Sequence, residues 1–285
     1  MKEIALSNGM RIPTLGYGVF GITDPEQCER AVIDAVEAGY RLIDTAPGYE
    51  NEEAVGRAVR HCGLPRGEVL VSTKLEASQM GSYDKAMRAF DRSLETMGLD
   101  YMDIYLFHWP MGDVYGAWRA LEENYKAGRI KAIGVCNFWP YRLADFLLDQ
   151  QTVPFINQIE LHPFYQRKAE IAWNRNRNIQ VQAWSPFAEG KNDIFNNPVL
   201  KAIGRKHGKS VAQVILRWLL QQGLCVLSKT VSKERMRENR QVFDFELTGE
   251  DMREIGTLDG GRTLILDQHD PDNVEYLLSL IHISE

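Results

Sequence analysis

The chain has 285 residues, 44% hydrophobic and 25% charged, the ordinary composition of a soluble globular protein. Its net charge of −6 gives no support for a nucleic-acid surface. No apolar stretch is long enough to cross a bilayer, and the start, MKEIALSNGMRIP, lacks the apolar core of a signal peptide, so the expected location is cytoplasmic. The cysteines Cys28, Cys62, Cys136 and Cys225 form no C-x-x-C pair and no zinc-spaced cluster, which predicts free thiols in a reducing compartment and no metal.

In chain order, residues 3–12 read as a hairpin turning at Asn8-Gly9. Strand-like and helix-like segments then alternate. Strands are predicted at 14–18, 40–44, 69–73, 102–107, 130–135, 155–159, 179–183 and 224–228. Helices are predicted near 25–38, 51–62, 83–97, 114–127, 140–150, 166–177, 210–221 and 233–241, with two more near 248–258 and 271–280. AVIDAVEAG and SVAQVILRWLLQQG show helical apolar spacing and end at Gly39 and Gly223, natural C-caps. Eight strands each followed by a helix is the count of an α/β fold of the (β/α)8 TIM-barrel type, here with an N-terminal β-hairpin and two additional C-terminal helices. No linker divides the chain, so residues 1–285 are expected to form a single domain. The stretch AEGKNDIFNNP (188–198), rich in Gly, Asn and Asp, is the best candidate for a mobile loop.

Gly16-Tyr17-Gly18-Val19-Phe20-Gly21 matches the dinucleotide fingerprint G-x-G-x-x-G, and Asp44 ends the next strand. The third glycine does not open a helix, because Ile22-Thr23-Asp24-Pro25 intervenes and reads as a helix cap with proline in the first turn. A glycine-rich first strand-to-helix loop is the better reading.

Asp44, Tyr49, Lys74 and His108 fall at the C-terminal ends of different apolar runs. With parallel strands those ends share one face, so a carboxylate, a phenol, an amine and an imidazole converge. An ammonium beside a phenol lowers the phenol pKa, a carboxylate anchors the ammonium, and an imidazole orients a substrate oxygen. That set suits proton transfer in carbonyl chemistry.

The segments around these residues, DTAPGYENE (44–52), VSTK (71–74) and YLFHWP (105–110), resemble the signatures of the aldo-keto reductase family. IGVCNF, NQIELHP, QAWSPF and LSKTVSKERMREN continue the pattern in order, so the resemblance runs from about residue 3 to about residue 275. It implies NADPH-dependent reduction of aldehydes and ketones, with Tyr49 as general acid, Lys74 lowering its pKa, Asp44 holding Lys74, and His108 orienting the carbonyl. For the cofactor, NADPH/NADP+, it implies carboxamide contacts from Cys136, Asn137 and Gln158. Cys136 stands where serine is usual, and Trp184, where tyrosine is usual, is expected to stack on the nicotinamide. Gly18 and Asp44 are expected to join the cofactor contacts, and Ser185 and Phe187 to reach the pyrophosphate with help from Lys191. Ser228, Lys229, Thr230, Val231 and Arg235 are expected to bind the adenosine phosphate, and Glu238 and Asn239 the adenine. Phe20 and Trp109, with Tyr49 and His108, should line the substrate pocket.

The short 188–198 loop and short tail resemble microbial members such as 2,5-diketo-D-gluconate and methylglyoxal reductases. The expected partner is a small carbonyl compound, with no nucleic acid or membrane, and the expected state a monomer or weak homodimer. Two alternatives belong to other branches: a cofactor-binding regulatory subunit with little turnover, and a carbon–carbon double-bond reductase, whose relatives carry glutamate at the imidazole position. The tail LLSLIHISE departs from the family pattern and carries no assigned role.

Overall fold

A parallel strand is covered on both faces, and the central strands here are buried along most of their length, throughout in MDIYLF at Met102–Phe107. In the computed structural model, which describes residues 2–282, eight such strands close into a barrel. In chain order they are β3 (Leu15–Gly18), β4 (Leu42–Asp44), β5 (Leu70–Leu75), β6 (Met102–Phe107), β7 (Ile130–Cys136), β8 (Ile156–Glu160), β9 (Gln180–Trp184) and β10 (Cys225–Ser228). Each pairs in parallel with the next, and β10 pairs with β3 to close the ring. The hairpin precedes it as β1 (Glu3–Ala5) and β2 (Arg11–Pro13), antiparallel, with Gly9 at φ +87 in the turn.

The surrounding helices are α1 (Pro25–Glu37), α2 (Glu52–His61), α3 (Tyr83–Met97), α4 (Val114–Lys126), α5 (Pro140–Phe146), α6 (Lys168–Arg175), α7 (Pro198–His207), α8 (Val211–Gln221) and α9 (Lys233–Arg240), followed by α10 (Gly249–Gly256) and α11 (Pro271–His282). The expected barrel, hairpin and two C-terminal helices are all present. Asp24 caps α1 by accepting a hydrogen bond from the Gln27 amide at 2.6 Å, with Pro25 in the first turn. The G-x-G-x-x-G run therefore lies in a strand and loop, as the intervening cap residues imply. Helices α2 and α3 approach closely at Gly56, where a Cβ would run into the backbone of Met97.

Three expectations change. The helix near 140–150 stops at Phe146, because Leu148 is 80% exposed and its side chain finds no core to cover. The helix near 166–177 begins only at Lys168, after Arg167 adopts a left-handed φ of +45. Helix α7 follows the proposed mobile loop, and Asn197 caps it by accepting from the amides of Val199 and Leu200. The loop itself is folded into irregular 3₁₀ turns, Ala188–Asn196, with Ala188 and Ile194 buried and Phe187 packed 5.7 Å from Phe195. No helix among the described residues is long and apolar enough to cross a membrane. Of the tail LLSLIHISE, the last three residues lie outside the described residues.

Candidate active site

All barrel strands point the same way, so their C-terminal ends form one mouth. Asp44 is the last residue of β4, Lys74 lies one residue from the end of β5, and His108 immediately follows β6. Tyr49 reaches the mouth on a 3₁₀ turn, Pro47–Tyr49, which Glu50 terminates at φ +57. The four groups expected to converge are neighbours here.

The centre of the arrangement is a buried ion pair. Lys74 Nζ donates to Asp44 Oδ2 at 2.8 Å and to the Thr45 carbonyl at 2.7 Å. The Lys74 side chain is 0% exposed and that of Asp44 5%, so neither charge has water as an alternative partner. Asp44 uses its second oxygen to accept from Gln158 Nε2 at 3.0 Å, and the same nitrogen donates to Gln182 Oε1 at 2.9 Å. Both Lys74 and Asp44 are thereby fixed from below.

Above the pair, Lys74 Nζ lies 4.8 Å from the centroid of the Tyr49 ring. Phe20 meets that ring edge-on at 5.1 Å and His108 at 5.7 Å, and Trp109 stacks on His108 at 5.5 Å. Asn51 ties this rim together. Its amide donates to the Val19 and Ile22 carbonyls, and its oxygen accepts from Thr45 Oγ1 at 2.6 Å. Asn51 thus locks the loop carrying Phe20 to the turn carrying Tyr49.

The expected lowering of the Tyr49 pKa is corrected here. Burial pushes the hydroxyl up, the Lys74 ammonium pulls it down, and Asp44 pushes it up again, leaving the phenol above its usual value. A lysine neighbour alone suggests the opposite, because that argument counts the ammonium but neither the desolvation nor the paired carboxylate. The result is a phenol that keeps its proton across the ordinary pH range. Lys74 is in turn held above the usual lysine value: burial lowers it, and the groups around it, Asp44 foremost, together outweigh burial.

His108 is anchored by a residue that sequence reasoning did not single out. Its Nδ1 lies 2.8 Å from each oxygen of Glu76. Glu76 follows β5, and its Oε1 also accepts from the Gly48 amide at 3.1 Å. Burial raises the Glu76 carboxyl, but His108 and the Gly48 amide outweigh burial and hold it below the usual carboxylate range. No local signal separates Glu76 from a solvent-facing loop glutamate, since its partner is 32 residues away.

The proposed cofactor positions occupy the same rim. Asn137, at φ +63, donates from Nδ2 to the His108 carbonyl at 3.1 Å and accepts from Trp184 Nε1 at 3.0 Å. The half-buried Trp184 ring is thereby tied to the mouth. Cys136 is buried next to Asn137, and burial raises its thiol pKa, so it remains a neutral, weak donor. Gly18 lies opposite, with no atom within 4 Å of the place a Cβ would take, so the backbone borders open space. Ser185 turns the chain at φ +47, just before Phe187. Lys191 donates to the Leu264 carbonyl at 2.7 Å.

Beside Gly18 the chain leaves β10 at Ser228, which is buried near the Tyr40 hydroxyl, and continues through Lys229, Thr230 and Val231 into α9. The Thr230 carbonyl accepts from Tyr17 at 2.7 Å, pinning this segment to β3. Ser232 caps α9 by accepting from the Arg235 amide at 3.3 Å. Lys229 and Arg235 are exposed and make no side-chain ion pair among the described residues, whereas Lys233 is taken by Asp34 and Glu37. Two unpaired cations at a capped helix start suit a phosphate. On α9, Asn239 is buried and Glu238 half-buried.

Residues 14–259 match the model of the aldo/keto reductase family. The chain is 43% identical over 256 residues to glyoxal reductase of Bacillus subtilis (strain 168), covering 90% of this chain and 92% of that one. It is 40% identical over 264 residues to methylglyoxal reductase DkgA of Escherichia coli (strain K12), covering 92% and 94%. A solved structure of a Gox0644 mutant in complex with NADPH superposes with a TM-score of 0.86 at 36% identity, covering 92% of this chain and 95% of that one.

Proposed function

From the chain's membership of the aldo/keto reductase family, we propose how its own residues carry out the family's reaction. The protein is an NADPH-dependent oxidoreductase that reduces the carbonyl group of aldehydes and ketones to an alcohol. Bound NADPH supplies the hydride. In our reading Tyr49 supplies the proton, Lys74 and Asp44 set its acidity, and His108 holds the carbonyl oxygen. The supporting observation is the buried Lys74–Asp44 pair at 2.8 Å, with Lys74 under the Tyr49 ring and His108 meeting that ring edge-on.

The upward-shifted Tyr49 fits an acid in this role. It keeps its proton until negative charge develops on the substrate oxygen, and the adjacent ammonium then stabilises the phenolate left behind. Asn137, Gln158 and Trp184 are the residues we assign to the nicotinamide end, and Lys229 and Arg235 to the 2′-phosphate. The fit to such a cofactor rests on open space at Gly18 and on two exposed cations, Lys229 and Arg235, without an ion-pair partner among the described residues. Phe20 and Trp109 give the substrate side an apolar rim suited to small aldehydes, dicarbonyls or keto acids. We further read the whole chain as one cytoplasmic domain working as a monomer or weak homodimer, in line with its free cysteines and negative charge.

Stopped-flow mixing of the NADPH-loaded enzyme with a reactive aldehyde tests this reading. Rapid loss of NADPH absorbance with alcohol formation is expected. NADPH binding without oxidation would instead indicate a regulatory subunit. Oxidation only by an α,β-unsaturated ketone, with the carbonyl left intact, would indicate double-bond reduction.

A further inference from the structure

The contact between Glu76 and His108 restricts where the imidazole can carry its protons. Both Glu76 oxygens face Nδ1 at 2.8 Å. An ionised carboxylate only accepts hydrogen bonds, so Nδ1 must be the donor. The surroundings keep Glu76 an anion: the Gly48 amide also points at Oε1, and the side chain is only 13% exposed beside His108. Its position is fixed as well. The Glu76 amide donates to Gln79 Oε1 at 3.1 Å, and its carboxylate helps cap the 3₁₀ turn Ala77–Met80.

A ring whose Nδ1 carries a proton has two states at Nε2. With one proton in all, Nε2 is a lone pair and can only accept. With two, Nε2–H is a donor. Only the second state can donate to a substrate carbonyl oxygen, while the first can accept from an alcohol hydroxyl. The other groups facing His108 do not alter this assignment. Asp44 is occupied by Lys74 and Gln158, Lys74 is bonded to Asp44 and the Thr45 carbonyl, and Tyr49 and Cys136 keep their protons. Asn137 donates to the backbone carbonyl of His108.

We propose that Glu76 is a positioning residue that commits the Nδ1 proton of His108 to itself, so that the doubly protonated imidazole serves carbonyl reduction and the singly protonated one serves alcohol binding. The inference rests on the reading of His108 as the group that meets the substrate oxygen. It makes the balance between reduction and oxidation depend on pH through His108, with Glu76 setting that dependence.

The test combines nitrogen-15 spectra of the histidine rings, recorded on the NADP+-loaded enzyme across pH, with pH profiles of kcat/KM in the reduction direction. The chain has six histidines, and the resonances missing from His108→Asn identify the ring in question. In the unmodified enzyme the ring should lose its proton from Nε2 and keep the one on Nδ1. The kcat/KM should fall about tenfold per pH unit above the same midpoint. In Glu76→Gln the neutral ring should switch to the Nε2–H form, and the falling limb of the profile should vanish. A neutral ring protonated at Nε2 in the unmodified enzyme would overturn the proposal, as would a Glu76→Gln titration and profile superimposable on wild type. The wild-type spectra decide the matter even if Glu76→Gln fails to fold. Unchanged kcat/KM in His108→Asn would remove the role of His108 at the substrate while leaving the proton assignment to be judged by the spectra alone.

Discussion

Lys74→Met removes the ammonium and keeps a side chain of similar length, so packing changes little while the charge balance changes fully. Asp44 then remains as a carboxylate whose side chain is 5% exposed, with Gln158 as its remaining side-chain donor, and the Thr45 carbonyl loses its Lys74 donor. Breaking a buried pair from one side costs about 3–5 kcal/mol. Adding Asp44→Asn removes the stranded charge, so the double variant should be more stable than Lys74→Met alone. Because Lys74 is held above its unfolded value of about 10.4, its contribution is complete below that pH and shrinks as pH rises beyond it. The Lys74→Met deficit should therefore be nearly constant between about pH 6 and 9. Urea unfolding followed by tryptophan fluorescence measures each quantity. A deficit under about 1 kcal/mol, or a double variant less stable than Lys74→Met, would refute the reasoning.

Arg235→Ala should raise the KM for NADPH by roughly 10- to 100-fold, the effect of losing one charge-assisted phosphate contact, and leave the KM for NADH nearly unchanged; equal small changes for both would argue against the phosphate role. Asp251 caps α10 and accepts from Lys206, His207 and the Thr248 amide, each at 2.8 Å. Burial raises its carboxyl, but those hydrogen bonds outweigh burial and hold it well below the usual carboxylate range. A lowered carboxyl contributes stability above its unfolded value of about 3.9, and that contribution is lost as pH falls through the folded value. Asp251→Asn should thus lose about 1.5–3 kcal/mol at neutral pH, with the difference shrinking below about pH 4; a difference independent of pH in urea titrations would contradict this.

What could be read in advance follows from what local sequence encodes. Residues 102–107 form a buried apolar run and Asp24-Pro25 is a cap, so strand order, all but one of the barrel helices and barrel closure were legible. The ends of those strands then brought Asp44, Lys74 and His108 to one mouth without any contact information. Helix α7 was hidden because its cap, Asn197, sits in an Asn-rich stretch that reads as loop, and its proline reads as a breaker until it is placed in the first turn. Glu76, Asn51 and Gln182 were invisible as site residues because each acts on a group distant in sequence. The direction of the Tyr49 shift depended on burial, which is a property of the closed barrel.

The most direct measurement is the single-turnover rate of aldehyde reduction by Tyr49→Phe, alongside its affinity for NADPH. The account predicts a folded protein that binds NADPH as wild type does and reduces the aldehyde roughly 10²- to 10⁴-fold more slowly. A rate within about threefold of wild type, with NADPH binding intact, would contradict the assignment of the proton to Tyr49.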